Sequence, residues 1–151
     1  MIISASRRTD IPAFYSDWFF NRIREGFVLV RNPMNFHQVS KIDLSPEVVD
    51  CIVFWSKDPR PMLSRLSELD KYIFYFQFTL TSYDKTIEAN VPEKQYLIKT
   101  FRELSAQIGS DKVIWRYDPI LLTDKYDVKY HVKWFEYLAA KLSGYTKRCV
   151  I

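Results

Sequence analysis

The sequence predicts an α/β fold: a partial (β/α) TIM-barrel-like parallel sheet, the N-terminal part of a longer barrel, with a small β-hairpin insertion near residues 27–44. Three observations carry this expectation. Short apolar runs alternate with stretches of helical period, the pattern of parallel strands joined by crossovers. The runs are nearly continuous in apolar residues, as expected of strands covered on both faces. The last run begins near Arg148 and stops at Ile151, shorter than the usual ~5–6 residues of a strand. A full barrel takes about 250 residues and this chain has 151. One segment, 1–151, cut within its last strand, is therefore expected.

The elements follow in order. Ile2 to Ser6 is the first run. Pro12 to Glu25 is a helix with Tyr15, Trp18, Phe19 and Ile23 on one face; Thr9 or Asp10 caps it, Pro12 suits its first turn and Gly26 ends it. Phe27 to Arg31 and Gln38 to Leu44 flank an Asn32-Pro33 turn and form a hairpin. Ser45-Pro46-Glu47 opens a short helix. Cys51 to Trp55 is the second buried run, followed by a helix carrying Leu63, Leu66 and Leu69. Tyr72 to Leu80 is the third run, and Pro92 to Ile108 is a helix closed by Gly109. Lys112 to Tyr117 is the fourth run. Its helix, Asp127 to Ser143, carries Val128, Val132, Phe135, Leu138 and Leu142 on the core side and ends at Gly144.

Composition narrows the function classes. With 48% hydrophobic and 17% aromatic residues, the chain is globular rather than disordered. No apolar run approaches the ~18 residues of a membrane span, and the start lacks the features of a signal peptide. Two cysteines, Cys51 and Cys149, make no disulfide framework, and a reducing cytoplasm is the expected setting. A net charge of +4 permits nucleic-acid contact without arguing for it, because the basic residues are scattered. Three glycines leave no room for a GxGxxG loop, a Walker loop or a nucleophile elbow. His37 and His131 lie far apart, no metal-ligand spacing occurs, and His131 reads as a satisfied core or boundary residue.

Chemistry is expected where parallel strands end, since α/β folds bind ligands at their C-terminal edges. The first run leads into Arg7, Arg8 and Asp10, the second into Ser56, Lys57 and Asp58. The third contains Gln77, Thr79 and Thr81, and the fourth contains Arg116 and ends in Asp118-Pro119. Period two places Gln77, Thr79 and Thr81 on one face, and Arg116 with Asp118 on one face of their strand. These groups either meet at one mouth or pair with each other as a structural ion network. Arg7 and Arg8 are either an anion-binding pair beside the first helix or two exposed arginines. Glu88, in the loop before a helix, is either a general acid or a solvated loop residue.

Four segments together resemble a family of uncharacterised bacterial proteins: Ile3–Pro12 (ISASRRTDIP), Val53–Pro59 (VFWSKDP), Phe76–Thr81 (FQFTLT) and Val113–Thr123 (VIWRYDPILLT). That resemblance implies a TIM-barrel-like fold of nearly twice this length, with a carboxyl-terminal cysteine cluster like the iron–sulfur site of radical S-adenosylmethionine enzymes. A weaker similarity runs to the DNA-repair photolyase-like branch of those enzymes. Ser56-Lys57 is similar to its Thr-Lys motif, Glu88 to Pro92 to its Glu-Pro loop, and Asp118-Pro119-Ile120 to its end-of-strand proline segment. The loop after the first strand, Ser4 to Asp10, lacks the CxxxCxxC usual in such enzymes, where three thiolates hold the cluster.

The resulting expectation is the N-terminal part of a radical-SAM-like barrel enzyme. A [4Fe–4S] cluster and S-adenosylmethionine are expected only in a full-length protein, with none in this segment. Lys57, Gln77, Thr79 and Arg116 would contact cofactor, Arg7, Arg8 and Asp10 an anionic substrate, and Asp118 and Glu88 would be catalytic. Two other classes stand beside it. One is a redox-free hydrolase or lyase using Asp10, Glu88 or Asp118; the other is a non-catalytic module binding anions or nucleic acid through Arg7, Arg8 and Lys57. No membrane partner is expected, and the exposed edge of the sheet offers a route to oligomers.

Overall fold

A computed structural model describes residues 1–6 and 8–151. Five strands form one parallel sheet in the order β1 (Ile2–Ser4), β4 (Cys51–Ser56), β5 (Phe74–Thr79), β6 (Val113–Arg116) and β7 (Cys149–Val150). Between β1 and β4 run two helices, α1 (Ile11–Phe14) and α2 (Ser16–Glu25), and an antiparallel hairpin of β2 (Phe27–Arg31) with β3 (Val39–Asp43). A short helix α3 (Arg60–Leu63) and a 3₁₀ turn (Leu66–Leu69) join β4 to β5. The 15-residue helices α4 (Lys94–Ile108) and α5 (Val128–Leu142) follow β5 and β6. The fold is thus α/β with a parallel sheet and a separate hairpin. Strand order never reverses along the parallel sheet, so it has no crevice of the doubly wound kind.

The alternation along the strands separates two faces. Ile52 and Phe54, Phe74, Phe76 and Phe78, and Val113 and Trp115 point to one side and are buried. Phe54 stacks on Phe76 at 4.7 Å and meets Phe19 of α2 edge-on at 5.2 Å. Phe78 packs on Phe101 of α4 at 5.0 Å, and Trp115 stacks on Phe135 of α5 at 4.8 Å. The three long helices therefore cover the same side of the sheet. The other side carries Val53, which is buried, and Trp55, Tyr75, Gln77, Thr79, Ile114 and Arg116, which are exposed or partly exposed. Among the described residues no element covers it.

Several sequence expectations are corrected at the level of single turns. The first helix is not continuous from Pro12 to Glu25: it breaks at Tyr15, whose φ of −134° leaves the helical region. The helical phase restarts at Ser16, so the buried stripe is Ser16, Phe19, Phe20 and Ile23, while Tyr15 and Trp18 face solvent. Ser45 to Val49 make one turn and no helix, because Asp50 N–H already bonds Met1 O and the chain enters β4. The segment carrying Leu63, Leu66 and Leu69 is two short pieces rather than one helix. On α5 the buried positions are His131, Leu138 and Leu142, whereas Val128 and Val132 are exposed. Asp10 caps as expected, its Oδ1 accepting from Ala13 N, and Gly26 closes α2 with φ +76°; Asp127 also caps α5, accepting from Tyr130 N.

Candidate functional site

The C-terminal ends of β4, β5 and β6 lie side by side, and the residues that finish them form three linked groups. Asp10 is the first. Its Oδ1 caps α1 and its Oδ2 accepts the backbone N–H of Lys57 at 2.8 Å. One carboxylate therefore staples the turn after β1 to the end of β4. Burial pushes the Asp10 carboxyl upward, and these hydrogen bonds offset the shift only in part.

Glu88 is the second. It comes from the long loop between β5 and α4, and its side chain is only 8% exposed. Oε1 accepts from Lys57 Nζ at 2.5 Å and from Thr81 Oγ1 at 2.7 Å; Oε2 accepts from Lys94 Nζ at 2.6 Å. Burial would raise this carboxyl, but the donors from Lys57, Lys94 and Thr81 outweigh it and hold it below the usual range. Three donors on its two oxygens thus favour the ionised form of Glu88.

Arg116 and Asp118 are the third. Arg116 Nε donates to Asp118 Oδ1 at 2.7 Å and Nη2 donates to Oδ2, a bidentate pair between neighbours on one strand face. The guanidinium also lies 4.2 Å over the Trp55 ring. That contact reaches from β6 across β5, where Gln77 pairs in register with Trp55 and Thr79 with Arg116. Gln77 and Thr79 thus sit between the Lys57 group and the Arg116 group. The Gln77 amide has no hydrogen-bond partner among the described residues.

The structure brings together Asp10, Lys57, Gln77, Thr79, Glu88, Arg116 and Asp118. Arg8 turns away, donating from Nη1 to Arg31 O at 3.0 Å and so tying the β1 loop to the hairpin. Arg7 lies outside the described residues. Sequence reasoning missed Lys94 and Trp55. Trp55 was within reach, since period two puts it on the face of Val53 and Lys57. Lys94 was not, because only the folded loop places it against Glu88. Beside Glu88 and Lys94 a cleft of about 320 Å³ opens, lined also by Asp84, Tyr130 and Trp134.

His131 is structural. Its Nδ1 lies 3.0 Å from Tyr117 Oη and its Nε2 lies 3.0 Å from Leu121 O. Because a carbonyl can only accept, Nε2 carries the proton and Nδ1 accepts from the tyrosine. Among the described residues no cluster of three or more His, Cys, Asp or Glu side chains is placed to hold a metal ion. Among the described residues no helix is long and apolar enough to cross a membrane.

No curated protein and no solved structure matches the chain. A family described as Domain of unknown function (DUF1848) matches residues 2–151. The chain therefore belongs to the DUF1848 family over essentially its whole length.

Proposed function

We propose that this chain is the wall of a (β/α) barrel enzyme that binds a small anionic ligand over the C-terminal ends of β4, β5 and β6. Lys57, Gln77, Thr79 and Arg116 would contact it. The observation that carries the reading is how charge is spent. Glu88 and Asp118 are both counter-ions, one to Lys57 and Lys94 and the other to Arg116. With Asp10 counted, three carboxylates face three cations, Lys57, Lys94 and Arg116, so what the opening offers a ligand is the N–H groups of these cations rather than a free base. Acid–base chemistry through Asp10, Glu88 or Asp118 is disfavoured for the same reason, since each carboxylate is already engaged. The barrel reading is supported by strand order that runs with the sequence and by helices on one side only, the arrangement in which a barrel turns its bare face inward. A cytoplasmic setting accords with two cysteines that are both free.

The iron–sulfur chemistry implied by the family resemblance does not fit the residues of this chain. A [4Fe–4S] cluster with an open iron needs three thiolates. Only Cys51 and Cys149 are present. Cys51 starts β4 at the edge opposite the site, and Cys149 pairs in register with Trp115 on the helix-covered side of the sheet. The residues here bind and orient.

Titration calorimetry with inorganic phosphate and with succinate tests the proposal. Lys57→Ala and Arg116→Ala should each weaken binding by roughly tenfold or more, the loss of one charge-assisted hydrogen bond. Binding by neither probe, or binding that survives both substitutions and responds only to salt, overturns it.

A further inference from the structure

We infer that Glu88 sits in a carboxylate-binding site made by Lys57, Lys94 and Thr81, as an internal stand-in for a ligand carboxylate that takes its place. This rests on the anion-binding reading above and deepens it by naming the group recognised. Three observations carry it. The donors come from three different elements: Lys57 follows β4, Thr81 follows β5 and Lys94 opens α4. Together they enclose both oxygens of one carboxylate, which is how a protein recognises a bound carboxylate end.

The receptor is also anchored without Glu88. Asp10 fixes the Lys57 backbone, Thr81 is 2% exposed at the end of β5, and Lys94 belongs to a 15-residue helix. The loop that carries Glu88 is held less firmly. Its flanking ties are side-chain hydrogen bonds that are exposed or only part-buried, Asp84 with Thr86, Lys125 and Tyr126, Thr86 with Tyr126, and Lys85 with Val91 O, with Val91 packed against the core. Ile87, next to Glu88, is half exposed. Finally, the cleft of about 320 Å³ reaches Glu88 and Lys94 directly, giving a ligand both a way in and room once the loop moves.

An internal carboxylate competes at an effective concentration in the millimolar range for a short flexible tether. A simple monoacid displaces it poorly. A ligand whose carboxylate enters this site while another part reaches Arg116 does so well. The loop thereby selects ligands that span both groups.

Removing Glu88 should expose the empty receptor. Glu88→Ala deletes a piece the size of acetate, so acetate is the probe. The variant should melt roughly 5 °C below wild type, as expected for a partly buried ion pair lost from a domain of this size. Acetate should restore the midpoint saturably, sodium chloride at equal ionic strength should not, and adding Lys94→Ala should abolish the acetate response. Equal effects of acetate and chloride, or a response that survives Lys94→Ala, overturn the inference. If Glu88→Ala does not fold, Glu88→Ser is a second variant that leaves the carboxylate position empty. Acetate should then shift the NMR signals of the lysine ε-methylenes of Lys57 and Lys94, and the absence of a shift overturns it. Failure here leaves the phosphate and succinate result at Arg116 untouched, so the two proposals fall separately.

Discussion

At Glu88 two opposing effects meet on one carboxyl. Burial raises its pKa, and the hydrogen bonds from Lys57, Lys94 and Thr81 lower it further than burial raises it. The folded value therefore lies below the unfolded one, near 4.3. Stability from this bridge is complete above that pH and is lost as pH falls from there through the folded value. Asp10 has the reverse sign, because burial holds its folded pKa above the unfolded one. Acidification through the raised value relieves the cost of burying its charge. Urea denaturation between pH 3 and 7 separates the two. Glu88→Gln should cost about 2 kcal/mol at neutral pH, under the 3–5 of a fully buried pair because Lys57 is 37% exposed. It should also lose part of the acid-induced destabilisation seen in wild type. Asp10→Asn should steepen that destabilisation. A Glu88→Gln variant with the acid limb of wild type would show that the bridge contributes nothing to folding.

The elements differ in how far their sequence determined them. The strands were legible because a buried parallel strand is a nearly unbroken apolar run, and Cys51 to Ser56 and Phe74 to Thr79 have no competing pattern. Helix faces were harder, since a face depends on phase and phase depends on where the helix starts. The break at Tyr15 moved the buried stripe of α2 to Phe20, which is fully buried. On α5, Val128 and Val132 have the right spacing for a core stripe but lie 64% and 51% exposed. These valines line a groove with Ile120 and Leu122 of the loop after β6. Guanidinium denaturation distinguishes the assignments. Phe54→Ala, at a residue packed between Phe19 and Phe76, should cost about 3–5 kcal/mol. Val132→Ala should fall within about 0.5 kcal/mol of wild type, and a loss of 2 kcal/mol or more would put that residue back in a core.

For the molecule as a whole, the site was legible as a set of strand ends and not as a set of partners. Period two along β5 and β6 was enough to align Gln77, Thr79, Arg116 and Asp118. It could not say that Asp118 would clasp Arg116, or that a loop would deliver Glu88 to Lys57 and Lys94, because loops obey no period. The same architecture predicts an order of opening. β4 and β5 are flanked by strands on both sides and packed under the helices, with backbone bonds such as Ile52 N to Ile73 O and Phe76 N to Lys112 O joining them to their neighbours. Among the described residues the hairpin of β2 and β3 pairs with no other strand; Val28 and Ile42 pack against the core, while Leu29, Val30 and Val39 are exposed. A two-stranded ribbon with little buried area is marginal on its own. In native-state hydrogen exchange, amides of β4 and β5 should open only with global unfolding, while those of β2 and β3 should exchange through a lower-energy local opening. The edge strands β1 and β7, each paired on one side, should fall between. Hairpin amides as protected as those of β5 would mean that the hairpin is an integral part of the central folding unit, and the parallel sheet alone could no longer be treated as the scaffold of the site.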